Sequence, residues 1–203
     1  MVTVQTNIHP EFHRQLGRSD KEALLKQHGL VLWLYGLSGS GKSTLANALD
    51  RNLHEQGILS YILDGDNLRS GLNKNLGFSQ VDREENIRRS AETAKILLNA
   101  GIVVIASFIT PKRSLRSMAR EIIGEKDFFE VYLDCSLERC AERDVKGLYQ
   151  KAKAGEISQF TGLGSEFEPP ETPNLILDTN NTSETECQLA LYKAIIDRIQ
   201  VGS

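Results

Sequence analysis

The sequence has little of what marks secreted, fibrous or membrane-spanning proteins. Only 3 of its 203 residues are cysteine and 5 are proline, so a disulfide scaffold and a collagen-like chain are excluded. The longest apolar runs, 30–35 and 102–106, are far shorter than the roughly 20 residues that cross a bilayer, so no membrane helix is predicted. Residues 1–10 lack the apolar stretch of a secretory signal, and a cytoplasmic location is therefore expected.

Positive charge is not in excess either. The 24 lysines and arginines stand against 27 aspartates and glutamates, a net charge of -3, so no global field favours binding to nucleic acid. An anionic ligand must be bound by local groups. The cysteines, Cys135, Cys140 and Cys187, lack the spacing of a zinc site and are predicted to be reduced thiols, two of them packed. A regulatory disulfide is the less favoured alternative.

What the sequence does contain is an alternation of short apolar runs with longer amphipathic stretches. Such alternation predicts βα units around a parallel sheet. The predicted strands, all expected to be buried, are 30–35, 59–63, 102–108, 128–133 and 174–177. The predicted helices are 20–27, 42–56, 81–100 with Ser79 as N-cap, 111–123, 137–144 and 183–199.

Residues 36–43 match the phosphate-binding P-loop pattern G-x4-G-K-[ST], between a predicted strand and a predicted helix. The glycines allow backbone N–H groups to converge on phosphate oxygens at the positive end of the helix. Lys42 adds a charge at the β- and γ-phosphates, and the Ser43 hydroxyl is placed to bind Mg²⁺. The predicted contacts to ATP are Gly36, Leu37, Ser38, Gly39, Ser40, Gly41, Lys42, Ser43 and Thr44.

The P-loop by itself does not distinguish a kinase from a GTPase switch or a mechanical ATPase. A GTPase carries an Asn-Lys-x-Asp motif on a late strand, whereas the Asn-Lys pair at 73–74 lies early and is followed by Asn-Leu. A mechanical ATPase needs a longer chain. We therefore predict a small-molecule kinase with the α/β fold of P-loop nucleoside triphosphate hydrolases: a three-layer sandwich, a five-stranded parallel sheet and a mobile lid.

The domain organisation is predicted from the same pattern. Residues 1–28 are expected to form an N-terminal arm, and residues 29–203 a single P-loop kinase domain. The stretch 145–173 contains four glycines and three prolines and fits no βα unit, so it is the predicted lid. A passive surface loop is the alternative.

The second predicted strand is followed by Asp64, Asp66 and Arg69, at the edge of the sheet where α/β proteins bind ligands. A carboxylate there can accept a hydroxyl proton or help to hold Mg²⁺. An Asx turn with Asp66 capping the next helix is an equally good interpretation.

A cluster that suits an anion carrying a flat base comes next in the chain: Asn73, Phe78, Arg83, Asn86, Arg88 and Arg89. Guanidinium groups bind phosphate or sulfate through charge-assisted hydrogen bonds, and a phenyl ring can stack on a base. For Arg88 and Arg89, pairing with Glu84 and Glu85 on a solvated helix face is the favoured alternative.

Together these segments resemble the adenylylsulfate kinase family. The blocks that carry the resemblance are 36–43, 64–69 (Asp-Gly-Asp-Asn-Leu-Arg), 71–73, 76–78, 82–83, 85–89, 107–111 (Ser-Phe-Ile-Thr-Pro), 146–149 (Lys-Gly-Leu-Tyr) and 160–162 (Phe-Thr-Gly). They occur in order from about residue 28 to residue 178, and the series is far more specific than a P-loop alone.

The resemblance implies transfer of the γ-phosphoryl group of MgATP to the 3′-hydroxyl of adenosine 5′-phosphosulfate, a step of sulfate assimilation. Arg69, Arg83 and Asn86 would hold the phosphosulfate, while Phe78 and Phe160 would sandwich the adenine. For Phe160, a lid anchor packed on the domain body is the alternative. The family also suggests a homodimer.

Further roles come with the same resemblance. Asp66 would orient or deprotonate the 3′-hydroxyl and, with Ser43, help to bind Mg²⁺. The other residues implied to meet the acceptor are Phe108, Ile109, Lys146 and Leu148. A kinase for another small hydroxyl acceptor, and a regulator that binds ATP without turning it over, are the competing functions.

Thr110 departs from the pattern of some relatives, in which a serine at this position has been assigned as a phosphoenzyme intermediate. A threonine hydroxyl can carry phosphate, but direct in-line transfer needs no covalent stage. Because Pro111 suits the first position of a helix, we predict that Thr110 lines the site or caps that helix. Arg139 and Arg143 are predicted either to meet ATP or to pair with neighbouring glutamates in solvent.

Overall fold

Five parallel strands form one sheet, in the order β2-β3-β1-β4-β5, in a computed structural model that describes residues 9–157 and 160–201. The strands are β1 (Leu30–Tyr35), β2 (Ser60–Asp64), β3 (Val103–Ser107), β4 (Phe128–Asp134) and β5 (Leu175–Asp178). The sequence prediction of five parallel strands is confirmed, and each predicted end lies within one residue of the observed end. Not all strands are buried, however: the edge strands β2 and β5 leave Tyr61 and Ile176 each 55% exposed, because an edge strand is less completely covered than a central one.

The helices pack on both faces of the sheet. They are α1 (Arg18–Leu25), α2 (Lys42–Glu55), α3 (Gly65–Ser70), α4 (Gln80–Asn99), α5 (Arg113–Ile123), α6 (Leu137–Arg143), α7 (Leu148–Lys153) and α8 (Glu184–Ile199), with a short 3-10 turn at Phe12–Arg14. The predicted N-cap of α4 is confirmed, because the Ser79 hydroxyl accepts a hydrogen bond of 3.2 Å from the backbone N–H of Asp82. Neither α3 nor α7 was predicted, because each has only six residues and is too short to show a helical period.

The central strand β1 shows how the layers are held together. All six of its residues are buried, and they alternate between two cores because successive side chains of a strand point to opposite faces. Leu32 joins the core beneath α2 and α8, whereas Trp33 joins the core beneath α4 and α5. This alternation confirms the predicted three-layer sandwich.

The helix of the predicted N-terminal arm is attached to the body of the domain. It spans Arg18–Leu25 rather than 20–27, and Arg18 forms ion pairs with Glu22 at 2.6 Å and Asp127 at 2.7 Å. Gln27 is 1% exposed, and its amide donates 2.9 Å hydrogen bonds to the carbonyls of Leu59 and Gly101. Residues 1–8 of the arm lie outside the described residues.

The stretch 145–173 is more ordered than a featureless loop. It begins with α7, and farther along Phe167 stacks on Tyr35 and Tyr132 at centroid distances of 6.4 and 5.9 Å. The backbone N–H of Glu168 donates to the Pro111 carbonyl at 2.8 Å. The segment is therefore fastened to the domain at both of its ends.

The cysteines and the helices were each tested against the sequence predictions. All three cysteines are buried as free thiols, where the sequence predicted that two would be packed. Within residues 9–157 and 160–201, no helix combines the length and the apolar character needed to cross a membrane.

Candidate active site

The P-loop connects the carboxyl end of β1 to the first residue of α2, as the sequence predicts. Two of its glycines are required by close contact. A Cβ on Gly36, whose φ is +153°, would lie 2.7 Å from the Leu133 carbonyl oxygen, and one on Gly39, at φ +80°, would lie 2.8 Å from the Cys140 carbonyl oxygen. Only glycine fits both the left-handed backbone and the space at these positions.

Lys42 lies inside this loop. Its buried Nζ donates hydrogen bonds to the carbonyls of Gly36 at 3.0 Å and Leu37 at 2.6 Å. Burial lowers the pKa of this ammonium group to about 8, because a charge is costly away from water. The loop thus presents a positive charge at its inner surface, where a phosphate would sit.

The carboxylate beside the P-loop serine is Asp64, not Asp66. The Ser43 hydroxyl donates to Asp64 Oδ2 at 3.1 Å, and Asp64 Oδ1 accepts from the backbone N–H of Asp66 at 3.0 Å. Asp64 is therefore the N-cap of α3, and the interpretation of Asp66 as that cap is wrong. Hydroxyl and carboxylate oxygens are the ligands that Mg²⁺ prefers, so Ser43 and Asp64 form a donor set that fits the ion.

Asp66 instead faces the predicted lid. Its carboxylate accepts a hydrogen bond from Lys146 Nζ, although the two residues are 80 positions apart in the chain. Both side chains are more than half exposed, at 71% for Asp66 and 55% for Lys146. The structure thus brings together two predicted acceptor residues at the carboxyl edge of the sheet.

The predicted arginines and Phe78 form one surface. The Arg69 guanidinium lies 4.6 Å from the centre of the Phe78 ring and donates to the Gly77 carbonyl at 2.8 Å. Arg83 donates through Nε to the Phe78 carbonyl at 2.9 Å and through Nη1 to Thr161 Oγ1 at 3.3 Å. Phe78 itself is 69% exposed, which leaves its ring open to a flat ligand.

The other residues of the predicted cluster on α4 lie in two different environments. Asn86 is buried, and its Oδ1 accepts a 3.0 Å hydrogen bond from Asn73 Nδ2. Arg88 and Arg89 both pair with Glu85 at 2.7 Å, and these hydrogen bonds lower the pKa of Glu85 to about 2. The solvated-face interpretation is confirmed for these two arginines, except that Arg88 pairs with Glu85 and not with Glu84.

Phe160 occupies the position of a lid anchor. It is 8% exposed and packs edge-on against Tyr149 at a centroid distance of 4.8 Å, in a buried cluster with Cys135 and Cys140. Its ring contact within the described residues is with Tyr149 rather than with Phe78. Leu148 is half-buried against the same cluster.

The loop after β3 contains Phe108, Ile109 and Thr110. Phe108 is buried and stacks on Trp33 at 5.1 Å, while Ile109 is half-buried. The Thr110 hydroxyl accepts a 3.0 Å hydrogen bond from the Trp33 indole N–H, and its backbone adopts a φ of +38°. The prediction that Thr110 caps a helix is wrong, because Lys112 is the N-cap of α5 and the indole occupies the threonine oxygen.

Arg139 and Arg143 have different surroundings. Arg139 pairs with Glu142 at 3.0 Å in solvent, as one alternative predicts. Arg143 donates to the Thr179 carbonyl at 2.6 Å and to the Gly39 carbonyl at 3.3 Å instead of pairing with a neighbouring glutamate, and its contact with ATP stays a prediction. It supports the P-loop from outside.

Comparison with known proteins matches this geometry to one family. The family described as "Adenylylsulphate kinase" matches residues 28–178. The chain belongs to the adenylylsulfate kinase family. The matched residues include the P-loop and the cluster of Arg69, Phe78 and Arg83 on the acceptor side.

Individual relatives extend the similarity over nearly the whole chain. An adenylyl-sulfate kinase of Bacteroides thetaiotaomicron is 53% identical over 196 residues, which are 97% of this chain and 98% of the relative. One of Phocaeicola vulgatus is 55% identical over 192 residues, covering 95% of this chain and 94% of the relative. Among solved structures, the Mycobacterium tuberculosis APS kinase CysC in complex with AMPPNP and APS has a TM-score of 0.80 and 44% identity, covering 83% of this chain and 98% of that one.

Sequence reasoning missed several residues that shape the site. Asp64 had a signal, because it ends β2 in the same block as Asp66, but only the fold shows which of the two meets Ser43. Tyr149 had only its place in the 146–149 block as a signal, and Thr179 had none. They donate to the carbonyls of Ser38 and Ser40, which lie 111 and 139 positions away in the chain.

Proposed function

We propose that this kinase transfers the γ-phosphoryl group of ATP to the 3′-hydroxyl of adenosine 5′-phosphosulfate, in the following way. The products are 3′-phosphoadenosine 5′-phosphosulfate and ADP. The observation that carries the proposal is the position of a P-loop and of an arginine–phenyl surface at the same edge of the sheet, within a chain that belongs to the adenylylsulfate kinase family. The first site suits a triphosphate and the second suits a doubly anionic nucleotide.

The nucleotide half of the site binds the triphosphate. The backbone N–H groups of residues 36–43 surround the phosphates, and the Lys42 ammonium exchanges its loop carbonyls for phosphate oxygens. Ser43 and Asp64 would hold Mg²⁺, which when bound neutralises part of the charge on the β- and γ-phosphates. These residues align the triphosphate toward the acceptor.

The acceptor half holds the second nucleotide. Arg69 and Arg83 donate hydrogen bonds to its phosphosulfate, and the exposed face of Phe78 stacks on its adenine. Asn86, the third residue proposed to hold the phosphosulfate, is buried, and its Oδ1 accepts a hydrogen bond from Asn73. Discrimination comes from the sulfate, because it adds a second anionic group to which the guanidinium groups can donate charge-assisted hydrogen bonds.

Asp66 receives the proton that leaves the 3′-hydroxyl of the acceptor. As the 3′-oxygen bonds to the γ-phosphorus and the bond to the β-phosphate oxygen breaks, the Asp66 carboxylate accepts the hydroxyl proton. Lys146 contacts this carboxylate and orients it toward the acceptor. Thr110 takes no covalent part in this proposal, because direct in-line transfer needs no phosphoenzyme and the side chain is buried, at 2% exposure.

The segment 145–173 acts as the lid in this proposal. It carries Lys146, which contacts Asp66, and Leu148, and over the bound substrates it excludes water, which would otherwise compete for the phosphoryl group. Phe160 stays packed against Tyr149 as an anchor of this segment, and Phe78 offers the open ring face for the adenine. We also propose that the chain acts as a homodimer in the cytoplasm.

The deciding experiment is a coupled assay of ADP release by the full chain with MgATP. Adding adenosine 5′-phosphosulfate should raise ADP release by at least about a hundredfold, and mass spectrometry should show one added phosphate on the acceptor. AMP is the matched acceptor without sulfate. Equal rates with AMP would indicate another kinase, and nucleotide binding without turnover would indicate a regulator.

A further inference from the structure

The P-loop is held from outside by three side chains that do not belong to its motif. The Tyr149 hydroxyl donates to the Ser38 carbonyl at 2.8 Å, Arg143 donates to the Gly39 carbonyl at 3.3 Å, and the Thr179 hydroxyl donates to the Ser40 carbonyl at 2.9 Å. Three successive carbonyls are thus engaged on the outer side of the loop. A peptide whose carbonyl is held outward has its N–H directed the opposite way, toward the phosphate.

Tyr149 differs from the other two because it lies in the segment proposed as the lid. It belongs to α7, is 1% exposed, and its backbone N–H donates to Asp144 Oδ1 at 3.0 Å. Burial raises the pKa of its phenol above the usual value, so the hydroxyl keeps its proton and remains a donor at neutral pH. Its position is therefore well defined at both ends of the side chain.

Contacts continue from Tyr149 to the acceptor side. The Phe160 ring packs edge-on against Tyr149 at 4.8 Å, and the next residue, Thr161, accepts a 3.3 Å hydrogen bond from Arg83. Thr161 is itself buried, at 3% exposure. A continuous series of contacts thus runs from the Ser38 carbonyl, through the lid segment, to an arginine of the acceptor surface.

We propose that Tyr149 is a positioning residue that couples the two substrate sites. It holds the P-loop in its phosphate-binding shape through Ser38, and the acceptor side holds Tyr149 through Phe160, Thr161 and Arg83. Binding of either nucleotide then favours binding of the other by the same factor, because coupling between sites is reciprocal. The identity of the acceptor in this proposal rests on the proposed function.

The test removes only the phenolic oxygen. Tyr149→Phe keeps the ring that packs against Phe160, so the fold should survive, and the carbonyl of Ser38 is left to water. The full-length chain is titrated with AMPPNP and Mg²⁺ in a calorimeter, without and with saturating adenosine 5′-phosphosulfate. Loss of one neutral hydrogen bond should raise the AMPPNP dissociation constant about three- to tenfold. The coupling ratio is the AMPPNP dissociation constant without the acceptor divided by the constant with it. We expect this ratio to exceed one in the unmodified chain and to fall toward one in Tyr149→Phe.

Two further variants separate positioning from a merely structural role. Thr179→Val removes the support of Ser40 but leaves the lid untouched, so the AMPPNP constant should rise while the ratio stays as in the unmodified chain. Tyr61→Phe removes a hydroxyl from a side chain that is 55% exposed on the edge strand, and both constants should stay the same.

The proposal is overturned if Tyr149→Phe lowers only the thermal stability and leaves the AMPPNP constant unchanged. It is also overturned if the ratio of constants in this variant equals that of the unmodified chain, or if the unmodified chain shows a ratio of one. Failure of the proposed function has a different signature, since the unmodified chain would then release no ADP on addition of adenosine 5′-phosphosulfate.

Discussion

The two halves of the active site are built in opposite ways. The nucleotide half is a run of consecutive residues, 36–43, that uses backbone groups and is supported from outside by Tyr149, Arg143 and Thr179. The acceptor half gathers side chains from distant segments, and Phe78 in it is 69% exposed. Backbone geometry is set before the ligand arrives, whereas exposed side chains take their final places around the ligand. In the proposed function, one half is therefore formed in advance and the other is completed by binding.

The two lysines of the site show the same contrast. Lys42 is buried among the carbonyls of its own loop, and burial lowers its pKa to about 8. Lys146 is 55% exposed and meets Asp66 from a segment far along the chain. The first is enclosed by the P-loop, and the second belongs to the segment 145–173 that we propose as the lid.

The largest effect on turnover is expected at Asp66, in the acceptor half of the site. Asp66→Asn removes the proton acceptor but lies outside the P-loop, so kcat should fall on the order of 10²- to 10⁴-fold while the AMPPNP dissociation constant stays unchanged. Asp197→Asn, an exposed site on α8, is the matched control. Unchanged turnover in Asp66→Asn would remove this residue from its proposed role.

Arg83 should show the second largest effect. Arg83→Ala removes a charge-assisted donor to the acceptor, so the KM for adenosine 5′-phosphosulfate should rise about 10- to 100-fold. Arg88→Ala is the control, because that guanidinium is already paired with Glu85 on the same helix. A larger change in the KM for ATP than for the acceptor would contradict the separation of the two halves.

The pH dependence of nucleotide binding tests whether Lys42 in the nucleotide half contacts the bound phosphates. The folded-state pKa of about 8 lies below the ordinary 10.5. Burial of the ammonium group therefore lowers the stability of the fold below pH 8, and this loss disappears as the pH rises from about 8 to 10.5. A bound polyphosphate favours the protonated lysine. The affinity for AMPPNP should therefore fall above pH 8, by up to about tenfold per pH unit, with proton uptake on binding.

This pH dependence can be measured by calorimetry from pH 7 to 9.5 in two buffers with different ionisation enthalpies. A flat dissociation constant over that range, or no proton uptake at pH 8.5, would contradict the assignment to Lys42.

Thr110 should show the smallest effect on turnover. Thr110→Ala deletes the acceptor of the buried Trp33 indole, which should lower the free energy of unfolding by about 1–3 kcal/mol while kcat stays within about threefold. Denaturant unfolding and the ADP-release assay measure the two quantities. Thr110→Ser keeps the oxygen and is the control; a loss of turnover confined to Thr110→Ala would support a covalent phosphothreonine.

Much of the fold was predictable because its signals are local. Short apolar runs indicate the strands, and the apolar face of Ile87, Ala91, Ala94 and Leu98 indicates α4, which uses that face in the core. The errors occur where local signals are weak or ambiguous. The short helices α3 and α7 have too few residues for a period, and the edge strands resemble buried ones because their sequences do not reveal their place in the sheet.

In the site, too, the contiguous motif was predictable and the contacts between separate elements were not. The P-loop is a contiguous motif, and its strand and helix stand where they were predicted. The choice between Asp64 and Asp66 as partner of Ser43 depends on which carboxylate faces α2, and the burial of Phe160 depends on Tyr149 and the cysteines around it. Neither contact can be predicted from the spacing of residues in the sequence.

The amino-acid sequence by itself determined the parallel sheet, the phosphate-binding loop and the family, because hydrophobic periodicity, glycine conformation and motif spacing act between residues that are close in the chain. Only the tertiary structure decided that Asp64 meets Ser43, that Phe160 anchors against Tyr149, and that Arg143 supports the P-loop. These contacts join residues of different elements, 21, 11 and 104 positions apart in the chain. Their formation depends on how the layers pack, and packing is a property of the whole fold.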